Sequence, residues 1–184
     1  MLILGSYGFS YTQMRLKIGA LLPERSGNML IVPLACMFED VTGQKEKNCA
    51  SMLGFPPEHI FVFDSADPEA YMHRKYDYIA VLGGNTFKLL YLVRKHGLDR
   101  LIRQQVAEGA VYLGFSAGAC LACPDVAYVR QFDDNDHITD GDFTALGLTD
   151  KYVLCHYNQR GPTEIMQCRS VIGMAPELLS TVTH

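Results

Sequence analysis

A serine stands between two glycines in Gly114-Phe115-Ser116-Ala117-Gly118, directly behind the apolar run Ala110-Val111-Tyr112-Leu113. A strand that ends in a tight turn and passes at once into a helix leaves its turn residue exposed at the carboxyl edge of the sheet. Glycines are needed where such a turn brings backbone against backbone. The pattern points to a serine nucleophile, and its bland counterpart is a Gly-rich turn with an idle serine. Serine does not attack a carbonyl unaided at neutral pH; it needs a base within hydrogen-bond reach and donors for the developing oxyanion. His156 directly follows the run Tyr152-Val153-Leu154-Cys155, which brings it out at a strand's carboxyl end, where a base is needed. His137, in an acidic loop, is its competitor; His59, His73 and His96 fall in or beside helices, and His184 is terminal. Gly83-Gly84-Asn85-Thr86 follows another apolar run and opens a helical pattern, so its N–H groups lie at the positive end of a helix dipole. Gly84 and Ala117 together could donate two bonds to one oxygen. The bland reading of the double glycine is a plain turn capped by Asn85 or Thr86. A phosphate loop is not indicated, because neither G-x-G-x-x-G nor a following Gly-Lys-Ser/Thr is present.

A triad also needs a carboxylate to hold the imidazole in its tautomer. Asp133, Asp134, Asp136, Asp140 and Asp142 all lie between the serine and the histidine, and residue pattern alone does not choose among them. Acids so crowded are most often a solvated loop, and they lack the spacing of a calcium loop.

The elements that must position these groups alternate along the chain. Leu2-Leu4, Met29-Val32, Ile60-Phe63, Tyr78-Leu82, Val111-Gly114, Val126-Val129 and Tyr152-Cys155 are short, continuously apolar runs, as expected of parallel strands covered on both faces. Between them, Gln13-Leu22, Gln44-Leu53 and Thr86-His96 read as helices. A further helix, capped by Asp99, carries Leu101, Ile102 and Val106. Strand–helix alternation without repeat or long linker predicts one doubly wound α/β domain over residues 1–184, with a mostly parallel sheet flanked by helices. Ligands then bind at the carboxyl ends of the strands, where both Gly-rich turns fall.

Composition narrows the function classes. A formal net charge of −4 with no run of basic residues gives no footprint for nucleic acid. No apolar run approaches the ~18 residues of a membrane span, and the N-terminus lacks the basic flank and cleavage site of a signal peptide, so a cytoplasmic protein is expected. Six cysteines in 184 residues do not make a disulfide scaffold. Cys120-Leu121-Ala122-Cys123 has no second pair to complete a metal site, and no His-x-x-x-His occurs. Neither a metal nor another cofactor is implied.

Four stretches coincide in order and spacing: Leu82-Gly83-Gly84-Asn85-Thr86-Phe87-Lys88-Leu89-Leu90, Gly114-Phe115-Ser116-Ala117-Gly118-Ala119, Phe143-Thr144-Ala145-Leu146-Gly147-Leu148 and His156-Tyr157. Together they resemble the peptidase E family, the aspartyl dipeptidases, with a flavodoxin-like, class I glutamine amidotransferase-like fold. The resemblance implies a serine-type peptidase acting on small peptides through an acyl-enzyme, as monomer or homodimer. Ser116 is then the nucleophile, His156 the base, and Gly84 with Ala117 the oxyanion hole. The family carries an acid fifteen to eighteen positions after the serine, which implies Asp134, with Asp133 second. Asn85 and Arg160 are the expected substrate-binding residues, Arg160 because a guanidinium can meet a substrate carboxylate. The chain stops soon after the histidine, where relatives continue, and Pro176–His184 does not read as their ending, so the C-terminal part is expected to be shortened or atypical. The alternative is an inactive binding or regulatory protein on the same fold. An α/β-hydrolase esterase would place its histidine farther from the serine. A cysteine amidotransferase would need its thiol where Ser116 stands.

Overall fold

The computed structural model describes residues 1–9, 11–36, 44–172 and 178–180. Within them, β1 (Leu2–Gly5), β2 (Met29–Val32), β3 (Ile60–Val62), β4 (Tyr78–Val81) and β5 (Val111–Phe115) form one sheet in the order β1-β5-β4-β2-β3. Every pairing in it is parallel. A separate parallel pair joins β6 (Tyr152–Leu154) to β7 (Leu178–Ser180). The helices are α1 (Thr12–Leu21), α2 (Gln44–Met52), a single turn α3 (Glu69–Met72), α4 (Thr86–Lys95), α5 (Leu98–Ala107), α6 (Ala117–Leu121) and α7 (Pro162–Ile172).

The continuous apolar strands follow from two covered faces. Alternate strand residues point opposite ways, so Leu30, Val32, Ile79, Val81 and Tyr112 pack in one cluster with α4, α5 and α6. Met29, Ile31, Ala80, Val111 and Leu113 pack in the other, with Ile18 of α1 and Ala50 of α2. Burying one such aliphatic side chain contributes about 1.5–3 kcal/mol. A polar residue on either face of β2 or β4 would forfeit that contribution.

Two expectations about elements need correcting. Val126-Val129 is no strand: Ala127–Gln131 forms a 3₁₀ helix. Asp125 Oδ1 accepts a bond from the Ala127 N–H (2.9 Å) and starts a turn there, and the Tyr128 hydroxyl donates to Val153 O (2.6 Å), pinning the segment beside β6. A short buried run has the same apolar signature in either conformation. Asp99 is not a cap either. Gly97, at φ 70°, ends α4 and precedes α5 as its N-cap, so Asp99 falls in the first turn, where a negative charge still suits the helix dipole. The expectation for Pro176–His184 lies outside the described residues except at 178–180.

The topology also gathers the turns that matter. Register pairs Gly5 with Phe115 and Val81 with Gly114. The carboxyl ends of β1, β5 and β4 therefore lie side by side and deliver Ser6, Ser116 and Gly83 to one edge.

Candidate active site

Ser116 sits between β5 and α6 with φ 53° and ψ −113°. Among the described residues, Ser116 and His156 (φ 58°) are the two non-glycines with positive φ. Such conformations cost about 1–3 kcal/mol each and persist only where surrounding structure enforces them. Here the Ser116 N–H donates to Gly5 O (2.8 Å), Ser116 O accepts from Ala119 N (2.9 Å), and the Tyr112 hydroxyl donates to Gly118 O (2.7 Å). The second glycine of the turn is required sterically, since a Cβ at Gly118 would lie 2.1 Å from Val81 O. His156 is fixed on its own side by a bond from its N–H to Ser6 Oγ (3.0 Å).

These two strained residues meet: Ser116 Oγ and His156 Nε2 are 3.1 Å apart. Beside them opens a pocket of about 40 Å³ lined by Gly84, Ala117, Asp133 and Arg160 among others. That is room for one or two waters. Gly84, at φ 131°, belongs to the turn before α4, and a Cβ there would lie 1.7 Å from Ala35 O. The imidazole's pKa is lowered, first by burial and then by the Arg160 guanidinium, which keeps His156 neutral and able to accept a proton.

The structure brings Ser116, His156, Gly84, Ala117 and Arg160 together but does not bring in the carboxylate expected of Asp134. The bond described for Asp134 is made by its main-chain carbonyl, which accepts from Asn85 Nδ2 (2.9 Å). His156 Nδ1 is buried without a partner among the described residues. The acidic loop is drawn instead to the start of α4, where Asp133 Oδ2 accepts from the Thr86 N–H (2.7 Å), as the positive end of a helix favours. Asn85 makes structural bonds: its Oδ1 caps α4 by accepting from Lys88 N (2.8 Å), while its Nδ2 donates to the acidic loop. His137 stacks on Tyr91.

Several site residues have no signal in the elbow or histidine motifs. Ser6 and Tyr7 follow β1, and the Tyr7 ring lies edge-on to His156 at 5.0 Å. Their place after an apolar run at the same sheet edge is the signal that could have found them. Arg160 stacks on Phe132 at 3.7 Å, with its Nε buried and unpartnered among the described residues. Cys120 and Cys155 flank Ser116, but the hydrogen bond to Cys155, then burial, raises the Cys120 thiol well above its ordinary pKa. Burial pushes Cys123 up to about 12. Both stay protonated, which removes the thiolate that cysteine chemistry requires. Among the described residues no cluster of His, Cys, Asp or Glu could hold a metal ion, and no helix is long and apolar enough to cross a membrane.

Comparison with known proteins adds an independent line. The model of Peptidase family S51 matches residues 1–177. An uncharacterized peptidase of Listeria monocytogenes is 36% identical over 140 residues, which is 74% of this chain and 68% of that protein. Peptidase E of Salmonella arizonae is 38% identical over 110 residues, covering 56% of this chain and 47% of that one. A 1.5 Å crystal structure of a candidate peptidase E protein from Listeria monocytogenes superposes with a TM-score of 0.73 at 27% identity, over 97% of this chain and 88% of that one.

Proposed function

Because the chain belongs to peptidase family S51 and is by that membership a peptidase hydrolase, we propose that it cleaves small peptides through an acyl-enzyme on Ser116. The observation that carries this reading is the 3.1 Å approach of Ser116 Oγ to His156 Nε2 at a strained turn. His156 Nε2 takes the hydroxyl proton as Oγ attacks the scissile carbonyl carbon. The carbonyl oxygen becomes an oxyanion, received by the N–H groups of Gly84 and Ala117. The imidazolium then gives its proton to the departing amine, leaving an ester on Ser116. A water, deprotonated by the same nitrogen, attacks the ester and releases the acid. Preorganised donors of this kind commonly supply about 3–4 kcal/mol each.

With Nδ1 of His156 lacking a carboxylate among the described residues, the chemistry rests on a Ser–His pair rather than on Asp134. Arg160 supplies the fixed cation beside the pocket, suiting a substrate with an acidic first residue. The reading includes a cytoplasmic enzyme acting without cofactor, as monomer or homodimer.

A fluorophosphonate probe tests it directly. Stoichiometric labelling, mapped by mass spectrometry to the peptide containing Ser116 and abolished by prior heat denaturation, is expected. An unlabelled native protein would favour the binding-protein alternative.

A further inference from the structure

His156 adjoins two unlike groups of residues. It lines the 40 Å³ pocket with Arg160 and Asp133, to which neither Tyr7 nor Tyr11 contributes. Its imidazole also meets the Tyr7 ring edge-on at 5.0 Å, and Tyr11 packs against Tyr7 at 4.6 Å. The pair is anchored and open at once: Gln159 Nε2 donates to the Tyr7 hydroxyl (2.7 Å), whereas Tyr11, at the start of α1, is 55% exposed. Two adjoining aromatic rings, one held and one free, present apolar area at low entropic cost.

Resting on the proposed serine chemistry, the geometry points to Tyr7 and Tyr11 as the subsite for the leaving residue, selecting dipeptides whose second residue is aromatic or large and aliphatic. The proton of His156 must reach the departing amine, so the leaving residue is the part of the substrate that lies against the imidazole. The small pocket cannot hold a large side chain in addition to the acyl portion. The tyrosine face beside His156 is open to it.

The test compares dipeptides X-Phe, X-Leu and X-Gly, X being the first residue that the wild type hydrolyses fastest. Wild type should favour Phe and Leu over Gly by about tenfold in kcat/KM, the scale of one good aromatic contact. Tyr11→Ala should lower that ratio about three- to tenfold, with the loss in KM, while fluorophosphonate labelling of Ser116 proceeds at a rate within a few-fold of wild type. Tyr7→Phe, which keeps the ring and loses the Gln159 bond, should preserve the ratio. Leu16→Ala, on an exposed part of α1 (71% exposed), controls for surface change. A wild type indifferent to the second residue, or a Tyr11→Ala variant with an unchanged ratio, overturns the subsite. A Tyr11→Ala variant that loses labelling together with activity also overturns it, since the ring would then only hold the site in shape. Absence of labelling in the wild type would instead defeat the reading of Ser116, and the subsite with it.

Discussion

Each residue around Ser116 acts through one or two bonds, and these set what its substitution does. His156 must be neutral to accept a proton, and its pKa lies below the ordinary 6.5 because of burial and then Arg160. The acidic limb of the rate profile therefore falls below pH 6.5, with activity lost as pH drops through the lowered value. Arg160→Met removes one of the two causes, so the limb should move upward toward 6.5 while remaining below it. Labelling by an uncharged fluorophosphonate, followed against pH, measures this without interference from substrate binding; a limb that stays in place or moves down contradicts the assignment. Asp133 is a positioning residue, since its carboxylate holds the Thr86 N–H and so the turn bearing Gly84. Asp133→Ala should lower kcat about ten- to a hundredfold with little change in KM, as displacements of the order of 1 Å at a reacting centre do. Asp133→Asn should restore most of the loss, because an amide oxygen can still accept from Thr86. Asp134→Asn should be mild, its bond being made by the main chain. If Asp133→Asn proved as damaging as Asp133→Ala, the carboxylate's charge, not its bond to the turn, would be what matters.

Elements place these residues through close backbone approaches. Helix α6 starts against β4 so tightly that Gly118 has no room for a methyl group. Gly118→Ala should therefore cost about 1–3 kcal/mol, as overpacking does, and lower Tm by roughly 3 °C or more for a domain of this size. Thermal unfolding followed by circular dichroism measures it, and an unchanged Tm would mean that the approach relaxes freely. Asn85→Ala removes the α4 cap, worth about 1 kcal/mol, and also the tie to Asp134. It should reduce stability and activity together, whereas a substrate ligand would affect KM alone. The strands of the sheet and helices α1, α2, α4 and α5 were legible because their signals are local: unbroken apolar runs, and Asn85 or Gly97 at helix ends. Helix α7 was not, since Met166 and Val171 stand exposed and blur its apolar stripe. Val126–Val129 was not, since burial marks a 3₁₀ turn and a strand alike until Asp125 and Tyr128 show their partners.

At the scale of the whole molecule, a parallel sheet gathers the ends of β1, β4 and β5, and β6 brings His156 to the same edge. The positions of Ser116, His156 and the two glycine turns were legible because each directly follows an apolar run, and sheet topology does the rest. Which acid meets the start of α4 was not, because five acids in one loop look alike in sequence and only packing shows that it is Asp133. Ser6, Tyr7 and Phe132 were missed for a related reason, as their roles arise from contacts between segments far apart in the chain. Ser116→Ala is the sharpest test of the claim that Ser116 is the nucleophile. With fold and Tm preserved, kcat for a small peptide should fall about three to six decades, the loss expected when a nucleophile acting with its base is removed. Activity within tenfold of wild type would contradict the claim.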